Sequence, residues 1–261
     1  MSDLILYAVA NGVATITFNR PRVMNALDSA TIAAFRVVCE RAEHDVEARV
    51  VVLRGAGPAF LAGGDVATFK HNLSQLPAQI LELAGEMHRG ILALRRAPKP
   101  VIASVHGAVA GAGMSIMMAC DLIVAAEATK FSMAYSRIAT SPDGGASWFL
   151  PRLVGYQKAM ELLLLADTFD AKTMHAMGVV THVVSALDLD AATQQLAQRL
   201  ATGPAGAFAE TKALVNASVN QTLARHLDAE AHAFSRCAAH ADFAEGVTAF
   251  VEKRQANFLP T

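Results

Sequence analysis

Two stretches of this sequence place glycines where a ligand would meet the backbone. HGAVAGAGMSIMMACD (His106–Asp121) carries Gly107, Gly111 and Gly113 in seven positions, with one hydroxyl, Ser115, in an otherwise apolar run. FLAGGD (Phe60–Asp65) is the second such segment. A chain uses glycine where its backbone turns tightly or comes close to something else. Each segment follows an apolar run, RVVVLRG or PVIASV, that reads as a buried strand. In open α/β sheets ligands gather at that strand end, where helix N-termini present free N–H groups. The spacing is not G-x-G-x-x-G, and no Gly-Lys-Ser/Thr occurs, which argues against a dinucleotide or P-loop phosphate site. Among the nine histidines there is no HExxH pair, and Cys39, Cys120 and Cys237 are too scattered for a metal knuckle or a disulfide framework.

The elements that must hold these loops are readable in outline. LILYAVANGVATITFNR predicts two strands joined at Asn11-Gly12, a pairing that two-residue hairpins favour. Asp28 or Ser29 can cap a helix through TIAAFRVVCERAEHD, in which Ile32, Phe35 and Cys39 recur at helical spacing. A longer helix through ILELAGEMHRGILALRRA stops at Pro98, and DLIVAAE is a further strand. Over residues 50 to 126, strands apolar on both faces alternate with helices, the pattern of a parallel sheet covered by helices. From about residue 187 the chain reads as all helix, through to EGVTAFVEKRQANF, so the expected division is a core of residues 1–186 and a helical region of 187–261 suited to subunit association.

At 261 residues, with 53% hydrophobic and 17% charged, the sequence is that of a folded globular protein. A net charge of −1 offers no field for nucleic acid or an anionic membrane. The apolar window at residues 107–120 is too short to span a bilayer, and the N-terminus lacks the basic region of a secretory signal. Together with few, unpaired cysteines, this points to a reducing, cytoplasmic setting.

FNRPRVMNALD, FLAGGD, HGAVAGAGMSIMMACD, SPDGGASWFLPRLVG and EGVTAFVEKRQANF, in that order, resemble the successive signatures of the enoyl-CoA hydratase/isomerase (crotonase) superfamily. The resemblance implies an α/β spiral of ββα units with a C-terminal helical trimerisation region, assembled as trimers or pairs of trimers. It implies acyl-CoA thioester substrates, with no separate cofactor and no metal. It makes the N–H groups of Gly64 and Ala112 the oxyanion hole for a thioester enolate, Ala112 standing where a glycine is common. Backbone around Ala62, Asp65 and Val66, together with Gly113, would border the substrate, and Arg22, Lys253 or Arg254 would meet the CoA phosphates, with Lys70 a further candidate.

The two positions that carry glutamates in hydratases of the superfamily are Ser115 and Tyr135 here. A serine hydroxyl is no general base at neutral pH without a base of its own. The carboxylate that remains is Asp143 in SPDGG, at the place where isomerases of the superfamily carry their proton-shuttling acid, in an apolar run near Trp148 and Phe149. Pro-Asp-Gly is also a turn signal, so a purely conformational role competes with this one. The expectation is an acyl-CoA isomerase, acting on a 3-enoyl-CoA or a ring-epoxidised phenylacetyl-CoA type substrate, with Ser115 and Tyr135 lining the acyl pocket. The alternatives are a hydratase or lyase of the same fold, in which Tyr135, Ser115 or a bound water replaces the glutamates, and a non-catalytic CoA-binding protein.

Overall fold

Asn11 and Gly12 both adopt positive φ, 51° and 75°, as a tight hairpin loop requires. They join β1 (Ile5–Ala10) to β2 (Val13–Phe18) in antiparallel register. The computed structural model describes residues 3–69 and 74–258. Along the chain follow β3 (Val50–Gly55), β4 (Val101–Val105), β5 (Ala108–Ala110), β6 (Leu122–Ala126), β7 (Lys130–Ser132), β8 (Phe169–Asp170) and β9 (His182–Val184). The main sheet has the order β1-β2-β3-β4-β6-β9, parallel from β2 onward. A second, small sheet of order β5-β7-β8 stands beside it.

The apolar strands bury both faces, as their composition requires. On one face lie α1 (Ser29–His44), after which comes the short α2 (Val66–Phe69), then α3 (Leu76–Arg96) and α4 (Ala112–Met118). Here Phe18, Phe35, Leu53, Phe60, Leu94 and Met117 are fully buried in one large cluster. Asp28 is the cap of α1, accepting from Thr31 N–H at 2.8 Å. The chain then runs through α5 (Ala146–Val154), α6 (Tyr156–Leu165) and α7 (Ala171–Ala176) to α8 (Leu189–Ala201). That last helix covers the opposite face, with Leu189, Ala197 and Ala201 against Val50, Val52, Ile102 and Val124. The chain ends in α9 (Ala205–Ser218), α10 (Leu223–Ala238) and α11 (Ala241–Glu252).

The tail departs from its all-helical expectation. α11 stops at Glu252, with Lys253 left-handed at φ 56°. Arg254 then folds back in a two-pronged ion pair on Glu245, at 2.7 and 2.9 Å, and Asn257 N–H donates to the same carboxylate at 2.8 Å. A bidentate pair of this kind fixes direction as well as distance, and it turns the last described residues back along the helix.

Candidate active site

The first glycine loop is held from below by a residue that the sequence reading passed over. Asn25 is fully buried at φ 60°. Its Nδ2 donates to the carbonyls of Ala56, Ala59 and Phe60 at 3.0, 2.8 and 3.1 Å, and its Oδ1 accepts from Arg20 N–H at 2.8 Å. Leu27 bridges the loop in parallel fashion: Leu27 N–H donates to Gly63 O at 2.8 Å and Asp65 N–H to Leu27 O at 2.9 Å. That alternation turns the intervening Gly64 N–H away from Leu27.

The second loop lies directly on the first. Leu61 and Val109 form a bridge, and Ala110 N–H donates to Leu61 O at 3.1 Å. A Cβ on Gly113 would fall 2.2 Å from Leu61 O, so only glycine allows α4 to sit this close. Gly63 and Ala112 meet at the seam, where a Cβ on Gly63 would lie 3.7 Å from Ala112 N. Ala112 is the first residue of α4, and its N–H has no helical acceptor. Among the described residues, neither the Gly64 N–H nor the Ala112 N–H donates to any protein group. Two donors are thus left unspent, on two loops that meet where Gly63, the residue before Gly64, approaches Ala112; free backbone donors of this kind can hold an oxygen on which negative charge develops.

Ser115 is three residues along α4 from Ala112, about 4.5 Å further along the axis. It is fully buried and reaches two partners, the Tyr135 hydroxyl at 2.8 Å and the Asp143 carbonyl at 2.9 Å. Tyr135 begins the 3-10 turn Tyr135–Ile138 and is 8% exposed. Its hydroxyl donates to Asp143 Oδ1 at 2.7 Å. The residue types singled out as pocket lining are thus bonded to one another and to the one carboxylate singled out as an acid. Burial, followed by the neighbouring Asp143 charge, raises the Tyr135 pKa well beyond that of an ordinary phenol, so the hydroxyl keeps its proton. Gly144, at φ 58°, lets the turn descend onto Ser115, where a Cβ would stand 2.8 Å from the serine Cβ. Gly144 N–H also donates to His88 Nε2 at 3.2 Å, a partner on α3 that no motif announces.

The remaining candidates are more dispersed. Asp65 is drawn to Arg20 at 3.4 Å, and Arg20 also pairs with Asp28 at 3.0 Å, so this carboxylate helps fix the loop. Ala62 N–H donates to Met24 O at 3.1 Å, while Val66 is exposed. Arg22 is exposed on the 3-10 turn Pro21–Val23, and Lys253 is exposed at the end of α11. Lys70 lies outside the described residues. Phe149 packs against Gly145 and meets Trp148 edge-on at 4.9 Å, which gives the Asp143 turn its apolar flank. A cavity of about 770 Å³ adjoins that turn, lined by His88, Ile91, Arg95, Gly144, Trp148 and Phe149, among others.

The sequence model described as Enoyl-CoA hydratase/isomerase matches residues 8–260. The chain belongs to the enoyl-CoA hydratase/isomerase family. A Rhodobacter capsulatus protein named probable enoyl-CoA hydratase is 38% identical, with 97% of each chain covered. The 1,2-epoxyphenylacetyl-CoA isomerase of Escherichia coli is 36% identical over 99% of each. The crystal structure of an enoyl-CoA hydratase from Polaromonas sp. JS666 superposes with a TM-score of 0.92 at 36% identity, covering 97% of this chain and 98% of that one. The two-sheet α/β architecture with C-terminal helices is therefore the crotonase fold of this enoyl-CoA hydratase/isomerase family member. Among the described residues, no three His, Cys, Asp or Glu side chains are placed to share a metal ion, and no helix is long and apolar enough to cross a membrane.

Proposed function

We propose that this protein is an acyl-CoA isomerase that shifts a double bond in a 3-enoyl-CoA, or rearranges a ring-epoxidised aromatic acyl-CoA, through a thioester enolate. The observation that carries the reading is the hydroxyl clamp of Ser115 and Tyr135 on Asp143, one helical turn from Ala112. In this reading the thioester oxygen sits between the N–H groups of Gly64 and Ala112. Asp143 removes a proton from C2; the C–H electron pair passes into the C1–C2 bond, and charge develops on the oxygen. The C3–C4 double bond then moves to C2–C3 as C4 takes the same proton back from Asp143. No water and no redox partner enters, and one carboxylate suffices.

Hydration requires a second group to activate water. The groups at the two candidate positions are Ser115, which is spent on its neighbours, and Tyr135, which keeps its proton. The name of the Escherichia coli relative accords with this reading, while several other relatives are named as hydratases. Arg22 and Lys253 are the proposed CoA phosphate partners, and residues 187–261 the proposed assembly region of a homotrimer or a dimer of trimers. The test is product partition in D2O. A 3-enoyl-CoA is expected to give the 2-enoyl-CoA, and crotonyl-CoA to be hydrated far more slowly. Hydration at the rate of a dedicated hydratase would overturn the proposal, and so would binding of a 3-enoyl-CoA without any double-bond shift.

A further inference from the structure

The Asp143 backbone is fixed at two points. The Ser115 hydroxyl, its one hydrogen shared between the Tyr135 oxygen at 2.8 Å and the Asp143 carbonyl at 2.9 Å, braces one side, and the next residue's N–H, that of Gly144, donates to His88 Nε2 at 3.2 Å. Neither contact fixes the carboxylate itself. The last torsion of an aspartate side chain is a soft, broad one, so a carboxylate held only through its backbone sweeps a range of orientations. What sets its plane is the Tyr135 hydroxyl, donating to Oδ1 at 2.7 Å. Among the described residues, nothing donates to Oδ2. Tyr135 in turn is steadied by Ser115 Oγ at 2.8 Å and by the closure of its own turn, Thr140 N–H to Tyr135 O at 3.3 Å.

We infer that Tyr135 is a positioning residue: its hydroxyl occupies Asp143 Oδ1 and so dedicates Oδ2 to carrying the proton, with Ser115 as the anchor that holds Tyr135 in place. This rests on the reading of Asp143 as the proton shuttle and adds to it a division of labour between the two oxygens. The ring never touches the reacting atoms and takes no proton. Its consequence is retention. A carboxylic acid held in one orientation returns the proton it took, whereas one that swings presents it to solvent first.

The experiment compares wild type with Tyr135→Phe, which keeps the ring and deletes the donor, on a 3-enoyl-CoA in D2O. It reads kcat, KM and the deuterium content at C4 of the product. Misplacing a catalytic group by about 1 Å costs on the order of 100-fold, and the expected fall in kcat is roughly 10- to 100-fold. KM stays at the wild-type value, and a larger share of product carries solvent deuterium at C4. Ser115→Ala, which leaves both partners of the Tyr135–Asp143 bond in place, moves kcat and deuterium content the same way by less. Wild-type kcat and deuterium content in Tyr135→Phe overturn the positioning role and leave the shuttle standing. A raised KM at unchanged kcat overturns it too, since that is the mark of a substrate contact. A wild type that shifts no double bond overturns the shuttle and the positioning role together.

Discussion

Replacing Gly113 by alanine presses on the seam between the two glycine loops. The new Cβ would stand 2.2 Å from Leu61 O and 2.9 Å from Leu61 Cδ2, whereas ordinary contact begins at 3.4 Å. Leu61 O is backbone, already bonded to Ala110 N–H, and does not swing aside. The start of α4 must therefore back away by about 1.2 Å, taking the Ala112 N–H with it. A preorganised donor displaced by this much is close to a donor lost, and losing one costs roughly 10²–10³ in kcat. Overpacking a core by one methyl costs about 1–3 kcal/mol, which for a chain of this size lowers Tm by roughly 2–10 °C. The matched control is Gly206→Ala in α9, where a Cβ meets nothing within 4 Å; alanine there is expected to leave kcat alone and to hold or raise Tm. Thermal melts and steady-state isomerisation of a 3-enoyl-CoA read both quantities. Wild-type kcat in a folded Gly113→Ala protein would refute the claim that the seam sets the donor geometry.

Asn25→Ala strips the donors from three loop carbonyls and places alanine at φ 60°; with unsatisfied buried groups costing about 1–3 kcal/mol each, chemical denaturation is expected to show a loss of several kcal/mol. Glu245 is held down to about 2 by Arg254 first and by Asn257 N–H next. Its contribution is therefore complete above its ordinary 4.5 and fades as pH falls toward 2. Glu245→Gln should flatten the acid limb of a Tm-against-pH curve in that window, and an unchanged limb would count against the tail fold-back. Phe234, Phe250 and Val251 are 67%, 86% and 73% exposed on the C-terminal helices, and sedimentation is expected to give a trimer or a hexamer, with a stable monomer at micromolar concentration refuting the assembly role.

The parts of the site that are legible in the sequence are those whose demand on residue type is local. Gly111 and Gly113 stand out because backbone contact or positive φ excludes a side chain, and the long apolar strands β3 and β4 announce a parallel sheet. Asn25 does not stand out, because its partners are carbonyls more than thirty residues away. β5, β7 and β8, of two or three residues each, are too short to show any periodicity. Ser115, Tyr135 and Asp143 could each be singled out. Their mutual bonding could not, since it depends on α4, the 3-10 turn and the Asp143 turn converging.

The central claim, that Asp143 carries the proton, is tested most directly by Asp143→Asn. The amide keeps size and polarity and can still accept from Tyr135 through its oxygen, so CoA thioester binding and Tm are expected to stay near wild type. A positioned general base contributes about 10²–10⁴ in rate, and isomerisation of a 3-enoyl-CoA should fall by at least the lower figure, with C2 exchange in D2O falling alongside. Isomerisation and exchange at wild-type rates in Asp143→Asn, with binding intact, would contradict the account.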